Sequence, residues 1–256
     1  MKKQLSIVKI GGGLIENPQA LRRFCELFAA LKGPKVLVHG GGKSATALAS
    51  KLGIKTKMVH GRRITDKESL EVTTMSYAGW ANKTIVACLQ SFGCNALGLS
   101  GADGNSISAV KRAVSEIDYG FVGDITAVNY SLIEKLIKAE ICPVFCALTH
   151  DGKGQLLNTN ADTIASALSA AMVVGYSCRL LYCFEKDGVL SDLKKNTVIP
   201  LLTEELLEEG VGNGSIHAGM IPKLENGFKA LQAGVAEVII GNENILKEKG
   251  HGTQLK

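Results

Sequence analysis

Within its first 52 residues the chain makes the same structural move twice. Leu5 to Ile10 is a short apolar run ending in Gly11-Gly12-Gly13, and Lys35 to His39 is another ending in Gly40-Gly41-Gly42. A helix-like stretch follows each turn. Gln19 to Leu31 comes after the first, with Asn17 as N-cap and Pro18 at the first helical position; Lys43 to Leu52 comes after the second. Strand, glycine turn and helix in tandem predict an α/β fold with an open, mainly parallel sheet sandwiched by helices, because each helix carries the chain back to start the next strand. Ligands of such sheets bind at the strand carboxyl ends, which here are the two glycine turns.

The alternation continues along the chain. Met58 to Thr65 reads as a short hairpin, Asp66 to about Gln90 as a long helix capped by Thr65 or Asp66, and Asn95 to Leu99 as a third strand. Ser106 to Lys111 and Gly120 to Ile125 form an expected β-hairpin insertion. Ser131 to Ala139 follows as a helix, Ile141 to Ala147 as a strand and 150–154 as a loop. In the second half, an alanine-rich helix starts at Asn160 or Asp162. Arg179 to Phe184 is a strand, Thr203 to Glu209 a helix capped by Thr203, Ile221 to Ala233 a helix, and Ala236 to Ile240 the last strand. We expect a single domain over 1–256, with an N-terminal lobe of about 1–157 and a C-terminal lobe of about 158–256.

Bulk properties narrow the function classes. The net charge of +5 is spread out, with no Lys/Arg cluster of the kind that binds nucleic acid, and no apolar run approaches the roughly 20 residues of a membrane span. Nucleic-acid and membrane partners are therefore not expected. Seven cysteines without a C-x-x-C pair read as reduced core residues, consistent with a cytoplasmic protein, and five dispersed histidines give no protein-held metal site. The stretch GGGKS is not a nucleoside-triphosphate P-loop in the strict sense. That motif needs glycine at the position of Leu37. A glycine turn leading into a helix still binds anions through backbone N–H groups and the helix dipole. Lys43 and Ser44 are then a solvated helix start.

Four features recur in order: Lys9 two residues before a glycine turn, the Gly40–Gly42 turn, N-x-N-A-D at 158–162, and G-M-I-P-K at 219–223. HGRRITD at 60–66, WANKTI at 80–85 and LSGADG at 99–104 accompany them. Taken alone, Lys9 is an ordinary snorkelling lysine, Asp162 an N-terminal helix acid, Lys223 and Arg63 surface charges, and Asn158 a turn residue. Jointly, over residues 5 to 240, the pattern resembles the amino-acid kinase family and within it the acetylglutamate kinase subfamily.

The resemblance implies ATP-dependent phosphorylation of the γ-carboxylate of N-acetyl-L-glutamate in arginine biosynthesis, with Mg²⁺ arriving on ATP. It carries over Lys9 and Lys223 as flanking the transferring phosphoryl and Asp162 as holding both lysines. Gly11, Gly12, Gly41 and Gly42 carry over as phosphate-binding, the last two also as substrate-binding, and Arg63 and Asn158 as gripping the substrate α-carboxylate end. Phe184, Glu185, Gly188, Gly214 and Gly219 map onto the nucleotide side.

Two departures stand out. Phe184-Glu185-Lys186-Asp187 replaces a more usual S/T-D-V-x segment beside the nucleotide, and Arg62 stands where the family typically has an apolar residue. An extra cation has no obvious use beside an acetyl methyl, so Arg62 raises N-succinyl-L-glutamate as an alternative substrate with the same mechanism. A non-catalytic amino-acid sensor of this fold is a remoter alternative, opposed by intact Lys9, Asp162 and Lys223. A dinucleotide-binding oxidoreductase is opposed by the lack of G-x-G-x-x-G. The first strand begins by about Leu5, without the N-terminal helix that builds arginine-inhibited rings in the family. The expectation is a homodimer without strong arginine inhibition, with the 66–90 helix as candidate dimer surface.

Overall fold

The computed structural model describes residues 2–59, 62–192, 197–216, 219–247 and 250–256. His60 and Gly61 of HGRRITD, and His217 and Ala218 of the glycine-rich VGNGSIHAGM stretch, lie outside the described residues.

In chain order the first half runs β1 (Lys3–Ile10), α1 (Gly12–Glu16), α2 (Pro18–Ala30), β2 (Lys35–His39), α3 (Gly42–Lys51), β3 (Lys57–Val59), β4 (Arg62–Ile64) and α4 (Lys67–Thr74). It continues with α5 (Asn82–Gln90), β5 (Ala96–Leu99), β6 (Ile107–Lys111), β7 (Gly123–Val128), α6 (Tyr130–Lys138), β8 (Cys142–Cys146), β9 (Leu148–His150) and β10 (Leu156–Asn158). The second half adds α7 (Ala161–Met172), β11 (Tyr176–Cys183), β12 (Leu190–Asp192), β13 (Thr197–Val198), β14 (Leu201–Leu202), α8 (Glu204–Gly212), α9 (Ile221–Gln232), β15 (Glu237–Gly241) and β16 (Thr253–Leu255).

One eight-stranded sheet, ordered β14-β16-β15-β11-β1-β2-β8-β5, runs through both halves of the chain. Its neighbours are parallel except for β15 with β16. The β1–β11 pair, with Lys9 opposite Tyr182, joins the halves at the centre. Strand alternation builds two cores. Leu5 and Ile7 of β1, Val36 and Val38 of β2 and Cys178, Leu180 and Tyr182 of β11 face α7 and α9. Val8, Ile10, Leu37 and Leu181 face α1, α2 and α5. Each fully buried Leu, Ile or Phe contributes about 1.5–3 kcal/mol, so two packed faces hold the central strands firmly.

The helix caps follow local chemistry. Asn17 accepts from the Gln19 and Ala20 amides, Asp66 from Ser69, Asn160 from Asp162 and Thr163, and Thr203 from Leu206. The expected continuous helix over 66–90 is instead α4, a π-helical segment at Met75–Ala81, and α5. The hairpin of β6 and β7 is not an isolated insertion but half of a second sheet, ordered β10-β9-β6-β7. The 150–154 loop is the turn that joins β9 and β10.

Candidate functional site

The parallel register places the ends of β1, β2 and β11 together: Ile10 lies opposite both His39 and Cys183. Both glycine turns therefore emerge on one rim of the sheet. Lys9 continues the Leu5–Ile7 row and so points to the α7 side, where Asn160 caps α7 and sets Asp162 in its first turn. Pro222 at the start of α9 does the same for Lys223 from a neighbouring helix.

These three side chains meet. The Lys9 ammonium lies 2.7 Å from Asp162 Oδ1, and Lys223 Nζ donates to both Asp162 oxygens at 2.8 Å. Lys223 Nζ also sits 5.3 Å from the centre of the Tyr182 ring, and the Tyr182 hydroxyl donates to the Asp162 carbonyl at 3.2 Å. Burial by itself would raise the Asp162 carboxyl. The attraction of Lys9 and Lys223, with their hydrogen bonds, outweighs it and holds the group well below the usual carboxylate range. Burial, followed by repulsion from Lys9, pushes Lys223 down to about 8 against the pull of Asp162. Two ammonium groups around one carboxylate leave one positive charge uncompensated, a standing attraction for an anion.

A cavity of about 710 Å³ lies beside the second glycine turn. Its wall includes Gly41, Gly42, Arg62, Arg63, Asn158 and Arg112. Five of these six were expected from the sequence as substrate-binding. Arg63 is buried, and its guanidinium is partly spent on the fold. Nη2 donates to the Gly42 carbonyl at 2.9 Å and to Thr46 Oγ1 at 2.7 Å, and Nη1 donates to Thr56 Oγ1 at 3.1 Å. Arg63 thus ties β4 to the start of α3, spending three of its five donors on the fold while also approaching the Tyr77 hydroxyl. Asn158 Nδ2 donates to Thr65 Oγ1 at 3.0 Å, leaving its carbonyl oxygen without a bond among the described residues. Arg112 had no sequence signal. It forms a forked ion pair with Asp124 across β6 and β7, with Nη2 at 2.6 Å.

The glycines expected to bind phosphate divide. Gly11 differs from expectation, since its N–H extends the ladder to the Cys183 carbonyl at 2.9 Å and is not available to a ligand. Gly12 opens α1 with free space around it. Gly41 has φ of 156°, and a Cβ there would stand 2.9 Å from the Tyr77 ring, which the π-helical segment presses onto the turn. Gly41→Ala is therefore expected to cost about 1–3 kcal/mol of stability and to weaken substrate binding, checked by thermal melting and steady-state kinetics. A silent substitution would show that the turn relaxes freely.

The residues expected on the nucleotide side are more scattered. Phe184 packs on Gly11, and the Glu185 carboxylate lies where a Cβ of Gly13 would stand. Gly188 packs against Val198 and Thr253, Gly214 is a positive-φ turn after α8, and Gly219 precedes the α9 cap at Met220. No group of three or more His, Cys, Asp or Glu residues that could hold a metal ion occurs among the described residues, and both Asp162 oxygens are taken by ammonium groups. No described helix is long and apolar enough to cross a membrane.

Comparison with known proteins agrees with this architecture. The sequence model of the amino acid kinase family matches residues 4–242. A protein named acetylglutamate kinase from Phocaeicola vulgatus is 52% identical over 257 residues, covering all of both chains. Another of that name from Methanopyrus kandleri is 37% identical over 252 residues, covering 96% of this chain and 98% of its own. Among solved structures, smu.665 from Streptococcus mutans UA159 has a TM-score of 0.82 at 26% identity, with 98% of each chain covered. A carbamate kinase from Giardia lamblia bound to AMP-PNP shares the fold, with a TM-score of 0.68 at 13% identity over 99% of this chain and 98% of its own.

Proposed function

The chain belongs to the amino acid kinase family, and on that premise we propose that it transfers the γ-phosphoryl group of ATP to the γ-carboxylate of N-acetyl-L-glutamate, as a step in arginine biosynthesis. The observation that carries this reading is the Lys9–Asp162–Lys223 cluster at the carboxyl ends of β1 and β11. Full-length relatives named acetylglutamate kinase support the choice of acceptor.

The chemistry suits the cluster. An acceptor carboxylate is ionised at neutral pH, so one of its oxygens attacks phosphorus without a general base as the bond to the β-phosphate oxygen breaks. What remains is alignment and charge neutralisation. Asp162 is no base, being deeply ionised and fully hydrogen-bonded; it spaces two ammonium groups that face the transferring phosphoryl and its leaving oxygen. The N–H groups of Gly12, Gly41 and Gly42 complete a preorganised anion cradle. The residues offer Mg²⁺ no cage of carboxylates, so we assign the ion to the ATP phosphates and water. The Arg63 guanidinium and the Asn158 carbonyl oxygen suit the α-carboxylate and N-acyl end of the substrate. In this reading the segment up to 157, with Asn158, binds the acylglutamate, the rest of the segment from 158 binds the nucleotide, and the reaction belongs in the cytoplasm.

One observation favours a second reading. Lys43, Arg62 and Arg112 line the cavity together with Arg63, and among the described residues no Asp or Glu lines it. Arg112 is neutralised by Asp124, whereas Arg62 makes no ion pair among the described residues. That surplus suits an acyl group with its own carboxylate, as in N-succinyl-L-glutamate. The test is ADP release with Mg-ATP and N-acetylglutamate, N-succinylglutamate, glutamate or aspartate, with Lys9→Ala as blank. Preference for acetyl leaves Arg62 a surface charge. Preference for succinyl, reduced about tenfold or more in Arg62→Ala, assigns it to the acyl end. Turnover of none of the four rejects both readings and favours a sensor.

We further propose a homodimer built on the α4-to-α5 face, where Trp80 is 72% and Met75 51% exposed. Light scattering that gives a monomer or a hexamer rejects it.

A further inference from the structure

We propose that His39 and Asn82 are positioning residues for phosphoryl transfer: together they lock the Gly40–Gly41 peptide so that the Gly41 N–H faces the reacting phosphoryl group. The inference rests on the kinase reading above and deepens it. It also accounts for WANKTI at 80–85, a motif the catalytic cluster does not use.

Alternation along β2 sends Val38 to the α7 face and His39 to the opposite one, where it is completely buried beneath α5. The Asn82 amide nitrogen lies 2.9 Å from the Val144 carbonyl and 3.0 Å from His39 Nε2. The opposite amide orientation is excluded by the same contacts, since Asn82 Oδ1 accepts from Lys83 Nζ at 3.2 Å. An amide nitrogen only donates, so Nε2 is the bare acceptor and the imidazole proton sits on Nδ1. Nδ1 in turn faces the Gly40 carbonyl at 2.8 Å and donates to it. Burial pushes the ring down to about 4, the Gly40 bond pulling upward and Lys83 downward, so the neutral tautomer persists at neutral pH.

A trans peptide holds its C=O and N–H on opposite sides, and none of the described peptide bonds is cis. With the Gly40 oxygen turned into the core, the Gly41 N–H points the other way, and it donates to no group among the described residues. Gly40 and Gly41 both line the cavity. Glycine on each side of this peptide lets its plane rotate at little cost, so the orientation depends on the bond from His39. A donor fixed before the reaction needs no reorganisation as charge develops.

The test compares two substitutions that a packing role and a positioning role rank in opposite order. In His39→Asn the amide nitrogen falls near the imidazole Nδ1 position and keeps the bond to Gly40, at the cost of a cavity. In His39→Gln the amide falls near Nε2, filling more volume but leaving the Gly40 oxygen without its donor. The expected result is kcat within about 3-fold of wild type for His39→Asn, despite its lower melting temperature. For His39→Gln, kcat falls about 10- to 100-fold while KM for the acylglutamate stays within about 2-fold. A kcat order that follows the melting temperatures, or His39→Gln at wild-type kcat, overturns the proposal.

Should His39→Asn fail to fold, Asn82→Asp gives a second reading. The carboxylate accepts from Nε2, which moves the neutral ring's single proton off Nδ1 and leaves the Gly40 oxygen without its donor, so ring-nitrogen NMR shifts report the Nε2–H tautomer and kcat falls with KM retained; unchanged kcat with the proton on Nε2 overturns the proposal. A wild type that turns over neither acylglutamate sinks the kinase reading and this inference with it. An active wild type matched by His39→Gln sinks the inference alone.

Discussion

Lys223→Met is expected to lower kcat by about 10²–10³-fold while KM for the acylglutamate changes little. Removing one preorganised charge or donor from a transition state costs about that much. Methionine keeps an unbranched stem at this buried position, and Lys9 still pairs with Asp162, so the site loses its uncompensated positive charge and little packing. The wild-type pH profile provides an independent check. Lys223 is pushed down to about 8 from an ordinary 10.5, and in the proposed mechanism only its charged form stabilises the leaving oxygen. Wild-type kcat/KM should therefore fall as pH rises through about 8, and the variant should lack that limb. The stability linkage has the opposite sign. Between about 8 and 10.5 the unfolded chain binds more protons than the folded one, so this group's contribution to stability rises with pH where activity falls. Steady-state kinetics and denaturant melts from about pH 6 to 10 read both. A variant within tenfold of wild-type kcat would remove Lys223 from the catalytic machinery.

Asp162→Asn is expected to have the largest effect on stability. In the wild type one carboxylate accepts from two ammonium groups, all three side chains being only 11–12% exposed. The amide leaves two buried like charges facing a neutral group, and losing one partner from a buried pair costs about 3–5 kcal/mol. Activity should be lost at the same time, because Lys9 and Lys223 repel and no longer hold the spacing a phosphoryl group needs. The acid limb should change as well. The folded Asp162 carboxyl lies well below 3.8, so its contribution is present above that value and is lost as pH falls through the folded value. Asp162→Asn should therefore lose less stability on acidification than wild type does. Urea melts at neutral and acid pH decide the matter; a loss under about 1 kcal/mol would mean that water, not the carboxylate, balances the two lysines.

How much of this was legible in the sequence depends on how far apart the interacting groups lie along the chain. The caps at Asn17, Asp66, Asn160 and Thr203 bind amides two or three residues ahead, and sequence-neighbour chemistry is enough to find them. The β2 strand has the bounds its apolar run indicates, because a strand buried on both faces reads as a continuous apolar segment. The π-helical segment was not visible, since its apolar pattern matches an ordinary helix and the distortion arises where Tyr77 meets Gly41. Strand β16, which runs antiparallel to β15, and the β9–β10 hairpin are three-residue strands, too short for a period to register. The free amide of Gly11 was expected from its position in a glycine turn; the neighbouring strand β11 takes it.

By itself the sequence determined the alternation of strands and helices, the two glycine turns, and the residue types able to bind and neutralise phosphate. These follow from apolar periodicity, backbone freedom and charge, which are properties of short stretches. Only the tertiary structure decided that Lys9, Asp162 and Lys223 share one hydrogen-bonded cluster, that Arg63 spends three donors on the fold, and that His39 carries its proton on Nδ1. Each of these depends on parallel register and on burial bringing together groups far apart in the chain. Desolvation then sets which charges and tautomers survive, and no local pattern encodes it.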